Sequence, residues 1–185
     1  MRLCYLSALA VASLGFTAAG CKRAGGSAVT APGGGGVGAT ALPAGWKVYT
    51  PPEGDFSVDA PADPSVVNRP DADTQKVRFY RFNKGEAGLI VTMFSERTGK
   101  ARQMDSPDEV RADPHLVAGT LRDIPPQGGM KGLEFRLRDP QQGETAHRAY
   151  RSDDGSRAVG LTVLKPQSLS DAEVRAFLES FKLLR

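Results

Sequence analysis

"KGLEFRLRD" (131–139), "TAHRAYRS" (145–152) and "RAVGLTVL" (157–164) are the stretches whose pattern decides the fold. In the first, Leu133, Phe135 and Leu137 alternate with Glu134, Arg136 and Arg138. Side chains of a strand point to opposite faces in turn, so one side of this strand belongs to a core and the other is wet or covered by a helix. Asp153-Asp154-Gly155, between the second and third stretches, is a favoured hairpin turn. Upstream, "HLVAGTLRDI" (115–124) reads as a further strand, and Pro125-Pro126-Gln127-Gly128-Gly129 turns the chain into Lys131. Four strands joined by short turns make an antiparallel meander.

The pattern extends toward the N-terminus. "KVRFYRF" (76–82) and "GLIVTMFSE" (88–96) flank Asn83-Lys84-Gly85, and the second is apolar enough to lie centrally in a sheet. "GWKVYTPPEGDFSVDAPADP" (45–64) contains a short alternating strand, a turn and a second strand carrying Phe56 and Val58, a hairpin followed by a polar loop. Ser106 with Glu109 forms a capping box with Pro107 at the first helical position, and Pro114 stops the helix within two turns. At the other end Ser170 and Glu173 form a second capping box. Leu169 and Val174 supply a hydrophobic staple, and Val174, Phe177, Leu178 and Phe181 make an apolar stripe at helical spacing. The expectation is an α+β fold: a central antiparallel β-sheet of about six to seven strands, with a C-terminal amphipathic helix and one short helix packed on it. A domain of this size, residues 46–185, buries roughly two-thirds of its unfolded surface and needs no disulfide.

The first 45 residues have a different character. Met1 and Arg2 precede an apolar run from Leu3 to Ala19 that is short for a membrane span and ends in small residues, as an export signal does. "AAGC" (18–21) resembles the lipobox of bacterial lipoproteins, with Ala18 where Leu is usual, which makes residues 1–20 a lipoprotein signal peptide and Cys21 the lipidated residue. The only other cysteine, Cys4, lies in the leader, so the mature chain has no internal disulfide, and Cys21 lacks the Cys or His neighbours a metal site needs. Two or three acyl chains hold a protein firmly where one holds it marginally. Residues 22–45 are rich in Gly, Ala, Ser, Thr and Pro around "GGGGVG" (33–38), a flexible tether with an r.m.s. reach of roughly 25 Å. Gly33, Gly35 and Gly38 match a dinucleotide-binding glycine pattern, but neither strand nor helix flanks them. The address is an exported lipoprotein, membrane-anchored and facing the periplasm or cell surface, with the leaflet open.

The chain has 24 Lys and Arg against 21 Asp and Glu, too small an excess to point to nucleic acid. His115 and His147 sit in separate strands with no metal-ligand spacing, and neither a nucleophile elbow nor a P-loop is present. No catalytic residue, cofactor or metal ligand is assigned. The best functional hint is a basic stripe of Arg78, Arg81, Arg136, Arg138, Arg148, Arg151 and Arg157, interleaved with Phe79, Tyr80 and Phe82. Within it Arg136, Arg138, Arg148 and Arg151 are candidate contacts for an anionic partner, an envelope protein or an anionic lipid or glycan. The favoured reading makes the same arginines outward positions of amphipathic strands, paired with Glu134, Glu144, Asp139 and Asp153.

The order of "WKVYTPPEGDFSVDAP" (46–61), "GMKGLEF" (129–135), "RAYR" (148–151) and "FLESFKLL" (177–184) resembles the PsbP-type domain, a family that includes an extrinsic photosystem II subunit and many bacterial exported lipoproteins. The resemblance covers nearly all of the domain. It implies a central antiparallel sheet with helices packed on it and a role in binding or assembly rather than catalysis. The shared residues Trp46, Phe56, Pro61, Gly132, Phe135 and Phe181 read as turn and core positions, so no ligand site is carried over. The helix before His115 is shorter than the family pattern. The leading functional expectation is a membrane-tethered, non-catalytic envelope lipoprotein that binds or assembles another component. A small-ligand or lipid carrier with a pocket between sheet and helix is the alternative, and a hydrolase is third.

Overall fold

The computed structural model describes residues 42–71, 75–96, 106–141 and 143–184. The leader, Cys21 and the tether as far as residue 41 lie outside the described residues. Among the described residues ten strands and two α-helices follow in order: β1 (Lys47–Tyr49), β2 (Phe56–Ala60), β3 (Ser65–Asp71), β4 (Gln75–Lys84), β5 (Ala87–Glu96), α1 (Pro107–Ala112), β6 (Arg122–Gln127), β7 (Met130–Asp139), β8 (Gly143–Arg151), β9 (Arg157–Leu164), α2 (Asp171–Ser180) and β10 (Lys182–Leu183). Seven strands form an antiparallel sheet in the order β3-β4-β5-β9-β8-β7-β6, and β1, β2 and β10 form a separate three-stranded sheet. The α+β expectation holds in a sheet-dominated form.

Strands β7, β8 and β9 and the two helices stand where the sequence puts them. Both capping boxes are closed: Ser106 and Ser170 each accept the backbone N–H three residues on, while Glu109 and Glu173 reach back to the cap. Val174, Phe177 and Leu178 are buried on α2, and Phe181 continues the stripe beyond the last turn at 0% exposure. Burying such side chains contributes roughly 1.5–3 kcal/mol each. They pack on Phe56 and Val58 of the small sheet and on Tyr80, Phe82, Leu89, Val91, Leu161 and Val163 of the large one. Phe56 meets Tyr80 edge-on at 5.0 Å, and Phe181 lies between Phe56 and Tyr150 at 5.6 and 5.7 Å.

Three local readings are corrected. The polar loop after the first hairpin contains β3, an edge strand paired with β4 from Ser65 opposite Arg81 to Asp71 opposite Gln75. Pro70 is tolerated there because an edge strand has one side without partners. The strand read over His115–Ile124 is interrupted. Leu116 makes a single bridge to Leu137, Gly119 turns the chain at φ +75°, and regular pairing resumes at Arg122. Thr120 occupies the gap: its Oγ1 accepts the Arg136 N–H at 3.1 Å and donates to the Val117 carbonyl at 2.7 Å. Pro125 and Pro126, read as turn residues, lie inside β6 at a register shift between Ile124 and Gln127, and Gly128-Gly129 alone makes the turn. β6 is the other edge of the sheet, where two missing N–H groups cost little.

Register decides which face each side chain takes. Glu134 stands opposite Arg148 and Arg136 opposite Ala146, so Glu134, Arg136, Ala146, Arg148 and Tyr150 share the face that carries α2. Leu133 and Phe135 take the other face, where they form a smaller cluster with Ala149 and Val110 of α1, flanked by Leu116, Leu121 and Leu137. The polar side of "KGLEFRLRD" is therefore the one that carries α2.

Candidate functional site

Across β6, β7 and β8 the register sets Arg122, Glu134 and Arg148 side by side. Glu134 Oε1 accepts from Arg122 Nε at 3.1 Å and Nη2 at 2.5 Å, and Oε2 accepts from Arg148 Nε at 2.9 Å and Nη2 at 2.5 Å. One carboxylate thus serves two guanidinium forks. Burial pushes the Glu134 carboxyl upward, but the hydrogen bonds and charges of Arg148 and Arg122 together outweigh it and hold the group below the ordinary carboxylate range. Arg148 has a second task. It is only 9% exposed, and its Nη1 donates at 2.9 Å to the carbonyl of Leu178 in the last turn of α2. Carbonyls there have no intrahelical partner and carry the negative end of the helix dipole, so a cation from the sheet fastens the helix where it ends.

Between this row and α2 runs an open cleft of about 260 Å³. Its lining includes Gly119 and Thr120 from the interrupted strand, Ala146, Val174 and Leu178 as apolar floor, and Arg122, Glu134, Arg136, Arg148, Arg175 and Glu179 as charged groups. Arg136 Nη1 donates to Glu144 Oε1 at 2.6 Å. On α2, Arg175 Nε reaches only the Asp171 carbonyl of its own helix, at 3.4 Å. The cleft thus brings four guanidinium groups and two carboxylates together beside apolar side chains.

The stripe read from the sequence is not one surface. Arg136, Arg138 and Arg148 lie on the α2 side by strand alternation, while Arg151, an odd number of residues from Arg148, lies on the opposite face. Arg138 is exposed beside the 114–118 segment, outside the cleft. Arg78 and Arg81 stand on β4, with three strands between it and β7, and there Arg78 pairs with Glu53 at 2.6 Å and Arg81 donates to Asn83 at 3.1 Å. Two of the ion pairs expected for arginines at outward strand positions are formed, Arg148 with Glu134 and Arg136 with Glu144, whereas Asp153 pairs with Lys131. Arg122, Arg175 and Glu179 escaped the sequence reading. Arg122 faces Glu134 only because the Pro125-Pro126 bulge shifts the register, and Arg175 and Glu179 sit on the polar side of a helix whose apolar side drew the assignment.

His147 is built into the second face. Its ring stacks on Phe135 at 5.0 Å, with Thr145 Oγ1 2.8 Å from Nε2 and Thr162 Oγ1 3.2 Å from Nδ1. Burial lowers its pKa to about 4, against a weaker upward pull from Asp113. The ring is neutral at ordinary pH and occupied on both nitrogens. Among the described residues no group of three or more His, Cys, Asp or Glu side chains is placed to hold a metal ion. No described helix is long and apolar enough to cross a membrane. No protein-family model matches the chain, and no curated protein matches it.

Proposed function

We propose that this protein is a non-catalytic binding module of the cell envelope, tethered to a membrane through lipid on Cys21 and holding an anionic group of its partner in the cleft beneath α2. The lipobox-like "AAGC" and the glycine-rich segment support the tether, and the ordered resemblance to PsbP-type domains supports a binding role. The observation that carries the binding site is the cleft lining, in which guanidinium groups from β6, β7, β8 and α2 surround an apolar floor. Binding at the surface is favoured over carriage of a lipid inside. The space between sheet and α2 is filled by Phe56, Tyr80, Phe82, Tyr150, Phe177 and Phe181, all 0–1% exposed. A flexible tether raises the effective concentration of the module at the membrane without adding a contact.

Two experiments test the reading. Cys21→Ser should move the protein from the membrane pellet to the soluble fraction, and continued sedimentation with membranes removes the lipid anchor from the account. Cross-linking in native envelopes should capture a partner that the Arg122→Glu, Arg175→Glu double variant no longer captures. Both positions are exposed on the cleft rim, an unchanged Tm of the variant checks that its fold is kept, and undiminished capture then removes the cleft.

A further inference from the structure

We infer that the cleft under α2 takes a singly charged carboxylate borne on a small aliphatic group, gripped by Arg122 from the sheet and Arg175 from the helix. The inference rests on the binding-module reading and adds the ligand's chemistry. Four arginines and two glutamates line the cleft, and Glu144, just outside the lining, answers Arg136, so one positive charge is left over. A monoanion balances it. A dianion such as sulfate overshoots, with Glu134 and Glu179 in the same lining.

The donors also differ in availability. Arg148 is committed on both sides, to Glu134 and to the Leu178 carbonyl, and is buried. Arg122 is 63% exposed and shares its carboxylate, so a second anion can join it at little cost, and Arg175 forms no ion pair among the described residues. A guanidinium presents its donors in a planar fork that a carboxylate matches in two parallel bonds. Ala146, Val174 and Leu178 contribute apolar atoms to the same lining. At about 260 Å³ the cleft is below the roughly 300–1,000 Å³ typical of sites for drug-sized ligands, which limits the occupant to a few heavy atoms. Either a free short-chain acid or the C-terminal residue of a polypeptide carries this group.

The test is saturation-transfer NMR on the full lipidated chain in nanodiscs, with isovalerate as probe. Saturable transfer to the isovalerate methyls, weakened at least tenfold in an Arg122→Gln, Arg175→Gln double variant and unchanged in Lys47→Gln, supports the assignment. A folded spectrum of the double variant excludes loss of structure as the cause. Sulfate at equal concentration should not compete, and if it displaces isovalerate the single-charge assignment is wrong. The tripeptide Gly-Gly-Leu and its C-terminal amide separate the two sources. Stronger binding by the free-acid peptide, with none by the amide, supports a chain terminus, and binding by isovalerate alone supports a small acid. Absence of transfer from both probes overturns the inference. In that event, envelope cross-linking still lost in the Arg122→Glu, Arg175→Glu variant leaves the binding module standing with a different ligand, and cross-linking unaffected by it removes both.

Discussion

Glu134→Gln isolates the balance between Arg148 and α2. The substitution keeps the shape of the side chain and removes its charge, so Arg148, 9% exposed, must hold its guanidinium in the interior with the Leu178 carbonyl as its remaining strong acceptor. Breaking a fully buried ion pair from one side costs roughly 3–5 kcal/mol, because the other charge is left uncompensated. The Glu134 side chain is 20% exposed and that of Arg148 10%, so water relieves part of the cost. We expect a loss of about 2–3 kcal/mol, equivalent for a domain of this size to a fall in Tm of roughly 5–10 °C. Arg122→Gln removes the exposed arm of the same row and should cost less than about 1 kcal/mol. Trp46 is the only tryptophan and is buried, so its fluorescence follows urea unfolding of both variants. The decisive comparison is the midpoint at unchanged slope. If the two substitutions cost the same within error, Arg148 is not stranded by loss of Glu134, and the picture of a sheet arginine fastening the end of α2 is wrong.

Two further substitutions probe the other face and the tight crossing beneath the cleft. Because the folded pKa of His147 is depressed to about 4 from an unfolded value near 6.5, the unfolded chain binds a proton first as pH falls. Its contribution is therefore complete above about pH 6.5 and declines toward pH 4, by up to about 3 kcal/mol. Urea midpoints at pH 7.5 and 5 should fall for the parent and much less for His147→Gln, and parallel declines reject the assignment. Gly132→Ala places a methyl 2.6 Å from Ile124 Cγ1 and 3.0 Å from Tyr150 Cε1, and overpacking of this kind costs roughly 1–3 kcal/mol. Thermal unfolding of Gly132→Ala at the parent Tm would show that β6 yields freely.

The parts of the fold legible in sequence are those where local chemistry and burial agree. The capping boxes at Ser106 and Ser170 name helix starts by a reciprocal hydrogen bond that needs no tertiary partner, and period-two alternation in 131–139 reports a strand covered differently on its two faces. Strands that depend on their neighbours were not legible. β3 has only Val66 and Val67 as strand formers before Asn68, Pro70 and Asp71, which disfavour strands, and is drawn into the sheet by the edge of β4. β10 is two residues long and exists because Phe181 anchors the chain beside β2. Across 115–124, a threonine hydroxyl replaces ladder hydrogen bonds, which no periodicity reveals.

The same distinction explains the candidate site. A list of arginines in strands contains the cations but not their register, and register is set by turns and bulges at some distance. Pro125 and Pro126 bring Arg122 opposite Glu134, and the turn after Asp139 brings Arg148 there from the other side. Once Glu134 is shared between them, Arg148 belongs to the architecture and Arg122 to the rim, although both are arginines one strand away from the same carboxylate. What divides them is α2, whose last turn covers Arg148 and supplies the Leu178 carbonyl. The binding proposed for this face would thus follow from helix packing. A change that loosens α2, such as Phe177→Ala in the core, should expose Arg148 and weaken the cleft together with the fold, by the roughly 3–5 kcal/mol typical of such a cavity. A variant that lost stability to that extent while keeping isovalerate binding at unchanged affinity in its folded fraction would show instead that the cleft is built by the sheet alone.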